Sequence, residues 1–537
     1  MRYFQSAIIL LASFCGMAQV NFTSSNLPII IINTNGQSIS DEPKITADMG
    51  IIYNGQGEIN KVSDQKNNYN GKVGIELRGS TSQSFPKKPY GFETRDNTGE
   101  DLDISLLGMP KESDWTLNAT YNDKSLMRDG LAYILAGSVM EYAPRVRYCE
   151  LVLNNSYMGV YLLIEKIKRD KNRVNISKME VTDNSGDALT GGYIIKLDKT
   201  TGSNSRSGWF SRYKPFTGAL NNTYFQYEYP SVDNITDAQK NYIQNHVHEV
   251  EDVIASNDYK NTSNGYRKYI DINSLMDFII INELTKNPDG YRLSTFFYKE
   301  RDSEGGKIKL GPVWDFNLGF GNVDYCTQGN PEGLVIQDFN TVCPNDGWVI
   351  HFWWKKFLDD PDFYDGLKRR WQHLRKNQFS LEKINYKIDS ISSLLAVPHI
   401  RNFTKWPVMG KYVWPNYYIG KSYNEEVNWL KWWIANRINY LDNVWYININ
   451  DTDEQSSGNL TIYPNPTSAT ISVTIPEETS ETPKAHLTDC LGRIHPFYFT
   501  AGNQNNYEAD VSHLSPGLYI ISIQTGTKTY VKKVLKL

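Results

Sequence analysis

Apolar and polar residues alternate over short runs in the first half of the chain, and this pattern predicts β-strands. Residues 72–78 alternate as a strand with one buried face does, and residues 90–92 continue the pattern after a turn. Residues 148–153 and 158–165 flank a short Asn-rich turn and predict a hairpin. Between these strands, apolar residues at near-helical spacing predict one helix over residues 125–140.

The second half of the chain has helical spacing instead. Two strand-like runs, residues 295–298 and 307–313, interrupt it and predict a second hairpin. A strand-rich first lobe followed by a helical second lobe would leave a cleft at their junction. The predicted helices cover residues 273–283, 348–357, 364–374, 381–395 and 425–446.

The end of the chain reads as a separate domain. Residues 451–458 are polar and carry no apolar period, which predicts a linker between a main body, residues 26–450, and a tail, residues 459–537. Short, evenly spaced strands split by turn residues predict a small β-sandwich in that tail. The predicted strands are residues 460–463, 470–475, 485–488, 518–523 and 529–535.

Composition narrows the class of protein. The chain has 537 residues, of which 40% are hydrophobic and 22% charged, so it is long enough for two to four globular domains. A formal net charge of -4 gives neither a basic surface for nucleic acid nor a polybasic patch for membranes. No segment after the N-terminus is apolar for the length that a transmembrane helix needs.

Residues 1–18 have the pattern of a secretory signal peptide. Arg2 supplies the positive charge, residues 7–14 are apolar, and small residues precede a cleavage point near Gln19. The protein is therefore expected to be exported. Lipidation at Cys15 is an alternative, although the bulky Phe14 before it disfavours a lipobox.

Four cysteines remain after the signal: Cys149, Cys326, Cys343 and Cys490. They lack the close paired spacing of a zinc site. In an oxidising compartment Cys326 and Cys343 could be bridged across a loop, and free buried thiols are the alternative.

Two aspartates occupy positions that suit phosphoryl transfer. The segment Gly311-Pro-Val-Trp-Asp-Phe-Asn-Leu-Gly-Phe-Gly-Asn322 puts Asp315 after a strand, and Asn287-Pro-Asp-Gly-Tyr-Arg292 puts Asp289 just past a helix. Because one hairpin separates them, both carboxylates can converge on one metal–phosphate centre. One would orient or deprotonate the attacking hydroxyl while the other holds Mg²⁺. The alternative is that both residues cap turns, as most loop aspartates do.

Other charged residues could meet a nucleotide. The loop of residues 78–90 carries Arg78, Lys87 and Lys88, and its cations and backbone N–H groups could contact phosphates. A solvated hairpin tip is the alternative for that loop. Glu165 ends a buried strand, where the chain could form a hinge that meets adenine, or it could pair with a neighbouring lysine, Lys166 or Lys168.

The main body resembles the spore-coat CotH kinase family. Seven ordered motifs over about 250 residues carry the resemblance: Leu77-Arg-Gly-Ser80 with Pro86-Lys-Lys-Pro-Tyr90, Leu126-Met-Arg128, Ala143-Pro-Arg145, Leu153-Asn-Asn-Ser-Tyr-Met-Gly-Val-Tyr161 with Glu165, Gly192-Tyr-Ile-Ile-Lys-Leu-Asp198, Asn287-Pro-Asp289 and Pro312-Val-Trp-Asp-Phe316.

The resemblance implies an α+β, atypical protein-kinase-like body of two lobes. It implies that the protein binds ATP with Mg²⁺ or Mn²⁺ and phosphorylates Ser or Thr of extracytoplasmic proteins. Asp289 matches the catalytic aspartate and Asp315 the metal-binding one, with Asn317 a possible second ligand. Arg78, Lys87, Lys88 and Glu165 are the candidate nucleotide contacts.

Two departures from the family pattern bear on activity. Asn317 stands where the family often has aspartate, and Ser294 stands five residues after Asp289, where many kinases have a metal-binding asparagine. Both changes would weaken Mg²⁺ binding or shift the metal preference. A surface adhesin or scaffold that keeps the fold with little or no catalysis is therefore the alternative function.

The tail resembles the C-terminal sorting domain of the type IX secretion system of Bacteroidetes. The resemblance implies passage through the outer membrane by that machinery, removal of the tail, and release or attachment at the cell surface. Its motifs are Tyr463-Pro-Asn-Pro466, Asp489-Cys-Leu-Gly-Arg493, Leu514-Ser-Pro-Gly-Leu-Tyr519 and Lys532-Lys-Val-Leu-Lys536.

Overall fold

A computed structural model describes most of the chain, and two compact units emerge from it, Met1–Tyr446 and Ile447–Leu537. The predicted signal peptide, Cys15, the predicted linker and Cys490 lie outside the described residues. The described residues are 20–200, 207–446, 460–475, 483–489, 494–496, 498–501, 505–525 and 528–537.

The first unit opens with nine strands and one helix. In chain order these are β1 (Ser24–Ser25), β2 (Ile29–Asn33), β3 (Ile45–Ile52), β4 (Asn60–Lys61), β5 (Tyr69–Leu77), β6 (Tyr90–Arg95), β7 (Asp114–Asn118), α1 (Arg128–Ala136), β8 (Val146–Leu153) and β9 (Ser156–Glu165).

Seven of these strands form a closed barrel in the order β2-β3-β5-β6-β7-β9-β8. The ring closes through a parallel pair, β2 with β8, and its other pairs are antiparallel. Alternate residues point inward, so Val73 and Ile75 of β5 join one buried apolar cluster with residues of the other barrel strands. The alternation read from the sequence over β5 therefore marks a barrel wall.

A five-stranded antiparallel sheet follows the barrel, in the order β11-β12-β10-β13-β14. Helices pack around it and share one large core with it. The elements are α2 (Gly186–Leu189), β10 (Tyr193–Leu197), β11 (Gly208–Phe210), β12 (Tyr224–Tyr229), α3 (Asp237–Ala255), α4 (Ile272–Thr285), β13 (Thr295–Lys299), β14 (Ile308–Val313), α5 (Val335–Val342), α6 (Trp353–Leu358), α7 (Pro361–Lys376), α8 (Leu381–Leu394), α9 (Pro398–Lys405) and α10 (Tyr423–Val444).

The α+β fold class predicted from the sequence is confirmed. The helix predicted over residues 125–140 is shorter at both ends, and the second half carries a sheet of its own beside its helices. The kinase-like arrangement of two lobes stays a prediction. Among the described residues, no helix combines the length and the apolarity needed to cross a membrane.

The second unit is a β-structure with its own core. It has two four-stranded antiparallel sheets, and residues of both, such as Val473 and Ile521, form one buried cluster. The strands are β15 (Thr461–Tyr463), β16 (Thr470–Thr474), β17 (Lys484–Asp489), β18 (Ile494–Pro496), β19 (Thr500–Ala501), β20 (Asn506–Asp510), β21 (Gly517–Thr525) and β22 (Lys528–Lys536).

Because each unit has its own apolar core, we expect the body to fold without the tail. Residues 19–450 expressed alone should unfold in one cooperative transition, with a midpoint close to that of the full chain, in a calorimetric melt. Aggregation, or a melt without cooperativity, would mean that the tail contributes to the core of the body.

Candidate active site

The loop that carries Asp289 is anchored by the end of α4. Glu283 and Arg437 of α10 form an ion pair of 3.0 Å, and both side chains are fully buried. Breaking such a buried pair by removing one partner typically costs about 3–5 kcal/mol. Lys286 ends the helix in a left-handed conformation, with φ of 46°. Its ammonium donates to three backbone carbonyls, those of Thr327, Asn330 and Glu332.

One oxygen of the Asp289 carboxylate is held and the other is free. Arg292 donates from Nη2 to Asp289 Oδ1 at 2.7 Å. The guanidinium is itself fixed, since it also donates to the carbonyls of Pro288 and Trp348 and to Asp346. Within the described part of the chain, Asp289 Oδ2 accepts no hydrogen bond, so it can accept one from a ligand.

Asp315 lies in the loop after β14, in a left-handed conformation with φ of 62°. Such a conformation costs a non-glycine residue of the order of 1–3 kcal/mol, so neighbours must hold it. The Asp315 N–H donates to Tyr133 Oη at 3.1 Å, and the next N–H, of Phe316, donates to Asp129 Oδ1 at 2.7 Å. Both acceptors belong to α1.

Asn287 joins the two aspartate loops. Its Nδ2 donates to the Asp315 carbonyl at 3.2 Å, and its Oδ1 accepts the Asp289 N–H at 3.2 Å. The convergence of Asp289 and Asp315 predicted from the sequence therefore has a physical link, a single amide side chain that bonds to both backbones.

Burial, together with the charges of Asp289 and Asp198, raises the pKa of Asp315 to about 7. Lys199 and Arg78 oppose this shift. No donor from the described residues reaches the Asp315 carboxylate, which leaves both of its oxygens available. A desolvated carboxylate that accepts no hydrogen bond is stabilised in its ionised form by a nearby positive charge, which a divalent cation would supply.

Sequence reasoning did not include Asp198 among the candidate site residues. It directly follows β10, and burial raises its pKa, with the charge of Asp289 adding to the effect. Next to it lies Lys199, and Lys196 on β10 pairs with Glu228 of β12 at 2.9 Å. The motif Gly192-Tyr-Ile-Ile-Lys-Leu-Asp198 could have indicated this residue. A sequence motif, however, does not show which other loop its last residue lies against in the fold.

Asp198, Asp289 and Asp315 together form the acidic group of the site. Among the predicted nucleotide contacts, Arg78 is the one that the structure brings to this acidic group. The residue follows β5, and its Nη1 donates to Thr116 Oγ1 of β7 at 3.0 Å. Its guanidinium lies 5.1 Å from the ring centre of Trp314, the residue before Asp315. A fixed cation thus lies beside the Asp315 loop.

The rest of the loop of residues 78–90 contributes a second contact to the site. Residues 81–84 form a short 3₁₀ turn, and Thr81 Oγ1 lies 3.3 Å from Lys199 Nζ. Lys88 donates instead to the carbonyl of Gln83 within the loop. The loop therefore approaches the acidic group through Thr81 and Lys199, and the structure does not bring Lys88 there.

Lys87 points into the interior. Its ammonium donates to the Val160 carbonyl of β9 and to Asn402 Oδ1 of α9, the latter at 2.9 Å, and only 1% of the residue is exposed. Burial lowers its pKa to about 7. Gly159 makes room for this contact, because a Cβ there would lie 2.5 Å from Asn402 Oδ1. Lys87 ties the barrel to α9, and the predicted phosphate contact does not follow from this position.

Glu165 is also occupied by the protein. It is fully buried and forms an ion pair with Arg145 at 2.9 Å. The alternative partners considered from the sequence were wrong, since Lys166 pairs with Asp114 and Lys168 with Glu112 and Asp114. The hypothesis that Glu165 lies at an adenine-binding hinge stays a prediction. In the structure, the Glu165 carboxylate is already paired with Arg145.

The metal-ligand set is sparse. The described residues contain no group of three or more His, Cys, Asp or Glu side chains able to hold a metal ion by themselves. Asn317 is half-buried two residues after Asp315, and its carbonyl accepts from Asn322. Two protein oxygens fit a hard cation that takes its other ligands from phosphate and water, as Mg²⁺ commonly does.

A disulfide follows the Asp315 loop in the chain. Cys326 and Cys343 are bridged, with a Cα–Cα distance of 5.7 Å, which confirms the pairing considered from the sequence. The adjacent Tyr325 is close enough to the site for Asp289 and Asp315 to help burial raise its pKa. Cys149 is free and buried in the barrel.

A cavity of about 1070 Å³ lies elsewhere, along the β13–β14 hairpin. Neither Asp289 nor Asp315 lines it. Its charged residues are of both signs, and several pair with one another or with neighbours, as Lys309 does with Glu141. The candidate site is therefore the acidic group of Asp198, Asp289 and Asp315, which lies outside this cavity.

Comparisons with known proteins give a family match for the body and another for the tail. A family model described as CotH kinase protein matches residues 75–441, which include Arg78, Asp289 and Asp315. A second, described as a secretion system C-terminal sorting domain, matches residues 461–536. The inner spore coat protein H of Bacillus subtilis (strain 168) is 22% identical over 325 residues, covering 59% of this chain and 74% of that protein.

Proposed function

The chain belongs to the CotH kinase protein family and ends in a secretion sorting domain, and on that premise we propose that it is an exported phosphotransferase. In this proposal it transfers the γ-phosphoryl group of ATP to a Ser or Thr hydroxyl of an extracytoplasmic protein. The observation that carries the proposal is the Asn287 link, which holds Asp289 and Asp315 together.

The proposed acid–base group is Asp289. Because Arg292 fixes Oδ1, the free Oδ2 has a defined direction in which to accept the proton of an incoming hydroxyl. Orientation of the nucleophile supplies much of the rate in phosphoryl transfer, which involves little covalent chemistry by the protein.

The proposed metal ligands are Asp315 and Asn317, with the remaining positions taken by phosphate oxygens and water. A bound Mg²⁺ or Mn²⁺ would neutralise the charge that develops on the phosphates. Arg78 and Lys199, which lie beside the Asp315 loop, are the proposed phosphate contacts in place of Lys87 and Lys88. Because Lys199 contacts Thr81, phosphate bound by Lys199 would lie next to the loop of residues 78–90.

The sorting tail indicates export and sorting to the outer membrane or cell surface. We further propose that residues 1–18 direct the first step of export and that the type IX machinery recognises the tail. In this proposal the tail has no role in the chemistry, since Asp289 and Asp315 both lie in the first unit.

Nucleotide binding is the first test of the proposed function. A ligand that binds only the native state raises its stability by about 2.7 kcal/mol when present at a hundredfold excess over its Kd. We therefore expect ATP with Mn²⁺ or Mg²⁺ to raise the melting temperature of the body, and ATP with EDTA to do so far less. The absence of any shift with either metal would contradict the proposal.

Two lysines distinguish the proposed phosphate contacts from the earlier prediction. Lys199→Met should weaken Mn²⁺–ATP binding about tenfold, because a charge-assisted contact contributes about 1.5–3 kcal/mol and Lys199 is partly exposed to solvent. Lys88→Met is the matched control, since the Lys88 ammonium donates to the Gln83 carbonyl within its own loop. Calorimetric titration of both variants measures the difference. Loss in the Lys88 variant with none in the Lys199 variant would reverse the assignment.

A further inference from the structure

Asp129 is buried behind the candidate active site, with only 1% of the residue exposed. It is the second residue of α1, whose start is fixed by Asp123. That carboxylate accepts the N–H groups of Ser125 and Arg128 and forms a buried ion pair with the Arg128 guanidinium. The position of Asp129 is therefore set by the anchored first turn of the helix and not by its own flexible side chain.

The two oxygens of Asp129 bond to different parts of the protein. Oδ1 accepts the N–H of Phe316, the residue after Asp315, at 2.7 Å. Oδ2 accepts from Asn118 Nδ2, at the end of barrel strand β7, also at 2.7 Å. One carboxylate thus bridges the barrel and the loop after β14. Tyr133, one turn further along the same helix, accepts the Asp315 N–H.

We propose that Asp129 is a positioning residue, which ties β7 to the Asp315 loop and so sets how well that loop binds a metal. This inference rests on the proposed function and deepens it. Asp129 holds the peptide that follows Asp315, in the segment with left-handed backbone, without itself ligating the metal. Partners that orient a ligand in this way typically change metal affinity about 10–100-fold when they are removed.

A conservative variant separates positioning from a direct effect of charge. Asp129→Asn keeps an oxygen for the Phe316 N–H, and its amide nitrogen can donate to Asn118 once the Asn118 amide turns over. Asp129→Ala loses both bonds. We expect Mn²⁺–ATP affinity within about threefold of the parent for Asp129→Asn, and a loss of about 10–100-fold for Asp129→Ala.

A third variant isolates the tie to the barrel. Asn118→Ala leaves the Phe316 bond in place and removes only the contact with β7, so it should lose less affinity than Asp129→Ala. Asn118 is half-buried, and this change removes no charge, which makes the variant suitable should Asp129→Ala fail to fold.

Amide hydrogen exchange gives a readout that needs no nucleotide. In metal-free protein, the fragment that contains Phe316 should exchange faster in Asp129→Ala than in the parent, and at the parent rate in Asp129→Asn. The amides of β10 serve as the internal control. If the parent binds no nucleotide, the proposed function fails, while exchange at Phe316 still decides whether Asp129 positions the loop.

Two results would overturn the positioning role. The first is an Asp129→Asn variant that loses as much metal affinity as Asp129→Ala while Phe316 remains protected, because the charge would then act on the metal directly. The second is exchange at Phe316 that is unchanged in Asp129→Ala, because the bond would then hold nothing in place.

Discussion

Replacing Asp315 with asparagine should abolish metal-dependent nucleotide binding and leave the fold intact. Among the described residues, no donor bonds to this carboxylate, and burial already raises its pKa, so the metal-free protein gains little from its charge. The metal, in contrast, requires the ionised form. Thermal shift with Mn²⁺–ATP should show stabilisation of the parent and none of the variant, whose own melting temperature should be at least that of the parent.

The same cause gives a pH dependence. A proton competes with the metal for a carboxylate whose pKa is about 7, so the metal affinity of the parent should rise as the pH increases from 6 to 8. Asp324→Asn is a suitable control, because Asp324 is exposed and accepts a hydrogen bond from Tyr412. An Asp315→Asn variant that binds nucleotide and metal as the parent does would reduce Asp315 to a turn residue.

Replacing Asp289 with asparagine should not weaken nucleotide binding, and it should slow phosphoryl transfer by about 10²–10⁴, the usual contribution of general-base assistance. The asparagine can still accept from Arg292, so the loop should keep its geometry. A group that acts only in the transition state lowers kcat and kcat/KM together without weakening substrate binding.

A neighbouring acid provides the control for this second variant. Asp346 also accepts from Arg292, at 3.2 Å, but it lies in a different loop from Asp289. Asp346→Asn should therefore change the rate far less than Asp289→Asn. Unimpaired transfer by Asp289→Asn would leave the family assignment in place and show that another group accepts the proton.

Local patterns predicted the elements that carry the two aspartates. Pro288 follows the end of α4, and the two strand-like runs correspond to β13 and β14 of the hairpin. The sequence alone therefore placed Asp289 after a helix and Asp315 after a strand, with one hairpin between them. The link through Asn287 was not predictable in the same way, because it depends on how one side chain turns after the helix ends.

For the two lysines, the sequence could not show which side chain is buried. Lys87 and Lys88 are adjacent and chemically identical, and nothing local distinguishes the one that points inward. The distinction comes from Asn402, which is 315 residues away in the chain and accepts from Lys87. Lys199 could not be identified from the sequence for the same reason, since its contact with Thr81 also spans more than a hundred residues. Long-range packing, and not local propensity, decides both positions.

Phosphate transfer itself is the decisive test of the proposed phosphotransferase activity. The purified body would be incubated with ATP labelled at the γ-phosphate and with Mn²⁺ or Mg²⁺, together with Ser-rich protein acceptors, and phosphorylated residues would be identified by mass spectrometry. We expect phosphate on Ser or Thr hydroxyls, lost on chelation of the metal and strongly reduced in Asp289→Asn. Nucleotide bound by the parent, with no phosphate transferred to any acceptor or to the protein itself, would contradict this expectation and favour the non-catalytic surface protein that Asn317 already allows.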